Sequence, residues 1–188
     1  MSTTPYNEKE IAEMSKLLSY VLRHHPEHIN IELDEQGWVS VERLLAQLNK
    51  HGHTIDQALL NHVVETNSKK RFAFSSDQQN IRASQGHSIS VDLKYEPQVP
   101  PDILFHGTAT RFLTSILEFG LIKQNRQHIH LSAEFETAVK VGQRHGKPFV
   151  LNVLAGEMHK QGYQFFLSEN GVWLTDQVPS VFLSQDKK

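Results

Sequence analysis

Near its midpoint the chain reads Tyr95-Glu96-Pro97-Gln98-Val99-Pro100-Pro101, and the pattern of apolar residues differs on the two sides of this proline-rich stretch. Neighbouring prolines stiffen an extended connection and interrupt both helices and strands. The sequence therefore predicts two lobes, residues 1–94 and residues 102–188, joined by a linker at residues 95–101. A chain of 188 residues is long enough for two small domains.

Upstream of the prolines, the first pattern is that of an amphipathic helix. Asn7 and Glu10 match a capping box, and apolar residues then recur at helical spacing. Pro26 prevents the helix from continuing. Arg23 and His24 are therefore expected in its last turn.

Two further helices and a hairpin are predicted before the linker. One helix is capped by Ser40, and the next begins at Thr54. Residues 71–74 and 80–83 then alternate between apolar and other side chains on either side of a polar turn. Helices followed by a hairpin, in this order, indicate a winged-helix lobe.

Short strands and short helices alternate downstream of the linker. Apolar runs typical of strands begin at positions 103, 129, 149, 171 and 181, and helices are predicted near residues 111–119 and 134–143. The second lobe is thus mixed, and the complete chain is predicted to be of the α+β class.

Composition excludes several classes of protein. The hydrophobic share is 38% and the charged share 21%, as in globular proteins, and the absence of cysteine excludes disulfides and thiolate zinc ligands. Residues 1–5 lack the basic and apolar regions of a signal peptide, and no apolar run approaches the ~20 residues that span a bilayer. We therefore expect a cytoplasmic protein, with no membrane partner, that acts as a monomer.

The net charge of −2 argues against a protein that coats long stretches of nucleic acid, so recognition of phosphate must be local. A DNA-binding regulator is disfavoured because residues 54–66, the predicted recognition helix, contain no Lys or Arg. His128 and His130 share one face of a strand, but no third ligand and no His-Glu-x-x-His motif accompany them. No metal is expected.

Arginine and histidine concentrate in short clusters, which lie at residues 22–26, 70–72, 81–88, 106–108 and 142–148. Guanidinium groups bind phosphate oxygens bidentately, and imidazole is the side chain best suited to move protons near neutral pH. In the cluster at residues 106–108, Gly107 follows an apolar strand and permits close approach of its backbone to a ligand. The clusters predict a site that binds phosphate and performs chemistry on it.

Taken in order and spacing, these clusters resemble the NAD-dependent RNA 2′-phosphotransferases, which remove the 2′-phosphate left at a tRNA splice junction. The resemblance spans nearly the whole chain and is carried by Ser15-Lys16-Leu17-Leu18-Ser19-Tyr20-Val21-Leu22-Arg23-His24, Lys70-Arg71-Phe72, Ile81-Arg82-Ala83-Ser84-Gln85-Gly86-His87-Ser88, His106-Gly107-Thr108, His128-Ile129-His130-Leu131-Ser132, Gly142-Gln143-Arg144-His145-Gly146 and Glu169-Asn170-Gly171-Val172-Trp173-Leu174. It implies a winged-helix N-terminal lobe and a mixed α/β C-terminal lobe of the ADP-ribosyltransferase type, with the active site between them.

The resemblance also implies roles for individual residues. An Arg-His-Arg-Arg group acts on the phosphate, and by motif it falls on Arg23, His24, Arg71 and Arg144. The residues that match the nucleotide-binding motifs, and so would bind NAD, are His106, Gly107, Thr108, His130 and Ser132. A further set either shapes the RNA side of the cleft or ties the wing to the linker; it consists of Arg82, Gln85, His87 and Ser88.

In the reaction that the family implies, the RNA 2′-phosphate attacks the anomeric carbon of NAD and expels nicotinamide. The 2″-hydroxyl of this 2′-phospho-ADP-ribosylated RNA then attacks the phosphorus, which releases RNA with a plain 2′-hydroxyl and ADP-ribose 1″,2″-cyclic phosphate. Arginines suit the charge on the phosphate oxygens, and we hypothesise that His24 protonates the leaving 2′-oxygen. The alternative is an ADP-ribosyltransferase that modifies nucleic-acid ends or protein and forms no cyclic phosphate.

Overall fold

The structure is a computed structural model that describes residues 6–185 of the chain. The chain divides into two compact units between Lys94 and Tyr95, and each unit has its own hydrophobic core. Both units combine helices with small antiparallel sheets, which confirms the mixed helix and strand content predicted from the sequence. Residues 1–5, on which the signal-peptide argument rests, lie outside the described residues.

The first unit begins with helix α1, Glu8–Arg23. The predicted capping box is present, because Asn7 Oδ1 accepts from the Glu10 backbone N–H at 2.8 Å and Glu10 Oε2 accepts from the Asn7 N–H at 3.2 Å. His24 caps the C-terminus of the helix, and a 3-10 turn follows at Pro26–Ile29. Arg23 therefore lies in the last turn, as predicted.

Two shorter helices follow strand β1, Val39–Ser40. Helix α2 spans Val41–Lys50, and Ser40 caps it as predicted. Helix α3 spans Gln57–Glu65, so the predicted start at Thr54 is wrong. Asp56 takes the N-cap position instead, because its carboxylate accepts from the Leu59 N–H at 2.8 Å.

The predicted hairpin is present in the first unit. Strand β2, Phe72–Phe74, pairs antiparallel with strand β3, Asn80–Ala83, in the register Phe72↔Ala83. Strand β1 joins the other edge of β3, so that the order of this sheet is β1-β3-β2. The core of the first unit contains apolar side chains of the three helices and β3, among them Leu18, Leu22, Leu44, Leu48, Leu60 and Ile81.

The second unit is built from small sheets and short helices. Its described elements are β4 (Leu104–Ala109), α4 (Leu113–Phe119), β5 (Leu121–Ile122), β6 (Ile129–Leu131), α5 (Phe135–Gly142), β7 (Pro148–Val153), α6 (Ala155–Lys160), β8 (Phe166–Leu167), β9 (Trp173–Thr175), β10 (Gln177–Val178) and β11 (Leu183–Ser184). The sheets have the orders β11-β7-β4, β6-β9-β8 and β10-β5, and every pairing is antiparallel.

Two features of the second unit differ from the sequence-based expectation. The strand predicted to end at residue 105 continues through Ala109, so the His106-Gly107-Thr108 motif lies within a strand and not in a turn. Residues 95–101, predicted as a linker, belong to the second unit, where the Gln98 N–H donates to the Phe165 carbonyl at 2.8 Å. Within residues 6–185, no helix is long and apolar enough to cross a bilayer.

Candidate functional site

In the first unit, the predicted catalytic residues begin at the C-terminus of α1. The apolar stripe of the helix buries Leu18, Val21 and Leu22, which leaves Arg23 and His24 half-buried at the edge of the core. The His24 backbone N–H donates to the Tyr20 carbonyl at 3.1 Å and closes the last turn. A cation at this end of a helix is favoured by the helix dipole.

The segment that follows β3 returns to this helix end. The Ser88 N–H donates to the Arg23 carbonyl at 3.0 Å, and Ser88 Oγ lies 2.9 Å from His24 Nδ1. Gly86, with a φ of +86°, provides the left-handed backbone that turns the segment toward α1. Ser88 thus contacts two of the predicted catalytic residues, although it is 64 residues from His24 in the sequence.

His87 is buried next to this contact and exposes 1% of its surface. Burial, and then the positive charges of Arg23, His24 and Arg82, lower the pKa of His87 to about 4. Its ring lies against Gly37, where a Cβ atom would be 3.4 Å from His87 Nε2. His87 is therefore neutral at pH 7 and fills space inside the first unit.

Arg82 is also placed inside the first unit. Its guanidinium stacks over the Trp38 ring at 4.4 Å, and Nη1 donates to the Leu93 carbonyl at 3.4 Å. Only 6% of its surface is exposed, whereas Gln85 is half-buried and Ser88 is exposed. The contact with Leu93 ties β3 to the end of the first unit.

Arg71 is half-buried directly before β2, and its backbone N–H and carbonyl both form hydrogen bonds. Its N–H donates to Asn67 Oδ1 at 3.3 Å, and Asn67 Nδ2 donates to Ser15 Oγ on α1 at 3.0 Å. The Arg71 carbonyl accepts from the Ser84 N–H at 2.9 Å. Asn67 did not emerge from the sequence analysis, because a hydrogen bond between residues 52 positions apart leaves no local pattern.

In the second unit, four predicted nucleotide-binding residues lie where β4 meets β6. Phe105 and Ser132 exchange backbone hydrogen bonds of 2.8 Å in both directions, and His106 Nδ1 lies 3.2 Å from the His130 carbonyl. Thr108 is buried two residues further along β4. The backbone segments that carry these predicted nucleotide-binding residues are therefore joined in this unit.

The surroundings of His106 favour its neutral form. Burial lowers the pKa of His106, and the nearby charges of His145 and Arg126 lower it further, against the raising effect of the His130 carbonyl. Arg126 Nη1 lies 3.1 Å from His130 Nδ1. Because a guanidinium only donates, this nitrogen of His130 accepts, and the neutral ring carries its proton on Nε2. Arg126 was missed by the sequence analysis.

Gly107 and Gly142 bring α5 into close contact with β4. A Cβ atom on Gly107 would lie 1.8 Å from the Ala138 carbonyl oxygen, and one on Gly142 would lie 2.5 Å from the Thr108 carbonyl oxygen. The structure explains both glycines by the packing of a helix on a strand. The side of Gly107 on which a Cβ would project is filled by the backbone of α5.

Arg144 lies in a 3-10 turn, Gln143–His145, that directly follows α5, and its side chain is exposed. Gly146, with a φ of +133°, ends this turn.

Among residues 6–185 there is no group of three or more His, Asp or Glu side chains that could hold a metal ion. Burial lowers the pKa of His128, whose ring lies beside that of Phe166 at 5.7 Å.

The chain is similar to known proteins over nearly its whole length. The model of a family described as "RNA 2'-phosphotransferase, Tpt1 / KptA family" matches residues 9–177. A protein of Acaryochloris marina named probable RNA 2′-phosphotransferase is 53% identical over 175 residues, which cover 93% of this chain and 97% of that protein. Proteins of the same name from Agrobacterium fabrum and Pseudomonas aeruginosa are 56% identical over 170 residues and 51% identical over 180 residues. These two matches cover 90% and 95% of this chain, and 91% and 99% of the two relatives.

Proposed function

Because the chain belongs to the Tpt1/KptA family of RNA 2′-phosphotransferases, we propose that it transfers an internal RNA 2′-phosphate, as at a tRNA splice junction, to NAD. The products are RNA with a 2′-hydroxyl, nicotinamide and ADP-ribose 1″,2″-cyclic phosphate, formed through a 2′-phospho-ADP-ribosylated RNA. NAD is consumed as a substrate. The observation that carries the proposal is the Arg23 and His24 pair at the end of α1, fixed by Ser88, in a chain with these relatives.

Arg23, His24, Arg71 and Arg144 are the proposed catalytic residues. A 2′-phosphate monoester carries about −1.5 to −2 charges at neutral pH, and guanidinium groups neutralise such a group with bidentate hydrogen bonds. The phosphate is itself a nucleophile, so the first step requires its orientation more than a general base. In the second step the leaving 2′-oxygen needs a proton, which we assign to His24.

The second unit is the proposed NAD-binding unit. Thr108 and Ser132 supply hydroxyls, and His106 and His130 supply imidazoles that can hydrogen-bond ribose or phosphate oxygens. The lowered pKa of His106 keeps a neutral donor and acceptor in this place. Gly107 contributes through the packing of α5, which holds β4 in position.

The order of the elements supports the finer fold assignment. In the first unit, α1, α2 and α3 precede the β2–β3 hairpin, which is the order of a winged-helix lobe. The second unit is proposed to be an ADP-ribosyltransferase-like lobe, in keeping with its small antiparallel sheets and short helices.

The test uses the purified full-length chain and a short RNA with one internal 2′-phosphate, with and without NAD. We expect the three products only when NAD is present, and no change in an RNA that lacks the 2′-phosphate. Loss of the phosphate without NAD would contradict the proposal. A stable ADP-ribosylated RNA or protein, without cyclic phosphate, would favour the alternative ADP-ribosyltransferase.

A further inference from the structure

Ser88 contacts His24 and Arg23 through two separate groups. Its side chain contacts the ring of His24, and its backbone N–H contacts the carbonyl of Arg23. The position of Ser88 is therefore fixed by a second hydrogen bond that is independent of its hydroxyl. A 2.9 Å distance from Oγ to Nδ1 is that of a well-formed hydrogen bond.

We propose that Ser88 is a positioning residue that accepts a hydrogen bond from His24 Nδ1–H throughout the reaction, so that the proton exchanged with substrate passes through Nε2. The inference rests on the proposed function of His24 as the acid of the second step. In that step the N–H bond at Nε2 breaks, its electron pair stays on the nitrogen, and the proton joins the leaving 2′-oxygen of the RNA. The ring is then neutral with its remaining proton on Nδ1, still bonded to Ser88.

A hydroxyl suits this task better than a carboxylate. Serine Oγ can accept from Nδ1–H both before and after the ring loses its Nε2 proton, and it carries no charge. A carboxylate in this place would stabilise the imidazolium and so oppose release of the proton, and it would repel the phosphate. Ser88 orients the ring without either effect.

His87 anchors Ser88 in this position. The two residues are adjacent, and His87 is buried against Gly37 whereas Ser88 faces outward. The charged or titratable groups that act on His87 include Arg23 and His24 at the end of α1 and Arg82 on β3. Because its pKa is lowered, the His87 ring is uncharged near pH 7 and does not compete with the proposed catalytic arginines for the phosphate.

The first arm of the test is independent of catalysis. The ¹⁵N signals of the His24 ring, assigned by comparison with His24→Asn, are recorded on the full chain at a pH at which the ring is neutral. We expect the proton on Nδ1 in the wild type and in Ser88→Thr, and a shift of the population toward Nε2–H in Ser88→Ala. A wild-type ring with its proton on Nε2 would overturn the proposal.

The second arm measures single turnovers with 2′-phosphorylated RNA and NAD. Ser88→Ala is expected to slow the second step roughly 10-fold to 100-fold, so that ADP-ribosylated RNA accumulates, while the first step and RNA affinity stay unchanged. Ser88→Thr should restore the rate, and Ser90→Ala, at an exposed serine two residues further on, should resemble the wild type. Equal second-step rates in wild type and Ser88→Ala would overturn the proposal.

The two arms separate this inference from the proposed function. If the wild type transfers no phosphate to NAD, the proposed function fails, and the ring signals still report whether Ser88 sets the tautomer. If transfer occurs and the tautomer is unaffected by Ser88→Ala, the positioning role alone fails.

Discussion

His87 couples the stability of the first unit to pH. Its pKa is lowered to about 4 in the folded chain, chiefly by burial, whereas an unfolded histidine titrates near 6.5. The unfolded state therefore binds more protons between these two values, so stability is fully present above pH 6.5 and is lost as the pH falls toward 4. The loss between pH 7 and pH 5 amounts to roughly 2 kcal/mol.

Replacement of His87 by leucine should remove this dependence. The free energy of unfolding of the wild type should fall by roughly 2 kcal/mol between pH 7 and pH 5 relative to that of His87→Leu. Urea unfolding followed by the fluorescence of Trp38, in a Trp173→Phe background, measures the difference. His51→Leu, which removes an exposed histidine, should behave as the wild type. Parallel pH profiles for wild type and His87→Leu would show that His87 does not control the transition.

At the scale of elements, the contact between α5 and β4 is closer than side chains permit. Gly107→Ala places a Cβ atom against the backbone of Ala138, and backbone cannot move aside as a flexible side chain would. We expect a loss of stability on the order of 3 kcal/mol, measured as a lower unfolding midpoint of the second unit by Trp173 fluorescence.

Gly162→Ala provides a control in the same unit. No atom lies within 4 Å of its added Cβ, so only its left-handed backbone, with a φ of +92°, is strained. That strain costs about 1 kcal/mol. If Gly107 served a ligand and not the helix, Gly107→Ala would keep the unfolding midpoint of the wild type and lose only NAD binding.

The elements that could be predicted from the sequence are those with a local physical signal. The capping box of α1 and the alternation of β2 and β3 depend on neighbouring residues, and both were confirmed. Strand β1 contains two residues, too few to show a period. The packing of Gly107 against α5 could not be predicted, because a glycine indicates that some backbone comes close without showing which.

The candidate site shows the same limit. Its arginines and histidines stand out in the sequence by residue type, whereas the contacts that hold them come from distant positions. Asn67 joins Arg71 to α1, and Ser88 joins β3 to His24, through single polar atoms with no periodic pattern. Such contacts become visible only when the chain is folded.

At the scale of the whole molecule, the proposed catalytic residues are distributed over both units, with Arg23 in the first and Arg144 in the second. If both guanidiniums act on the same phosphate, their contributions to catalysis are coupled, because the loss of either leaves the transition state incompletely stabilised. We expect Arg23→Ala and Arg144→Ala each to reduce kcat/KM about 100-fold or more.

The double variant distinguishes coupled from independent action. Its loss of kcat/KM should be far smaller than the product of the two single losses, measured with 2′-phosphorylated RNA and saturating NAD, on variants whose thermal unfolding matches the wild type. Arg43→Ala, at an exposed arginine of α2, should leave kcat/KM unchanged and combine multiplicatively with Arg23→Ala. Multiplicative losses for Arg23→Ala and Arg144→Ala would mean that the two arginines serve separate steps or separate groups of the substrates. In that case, the assignment of all four catalytic residues to one phosphate would be wrong.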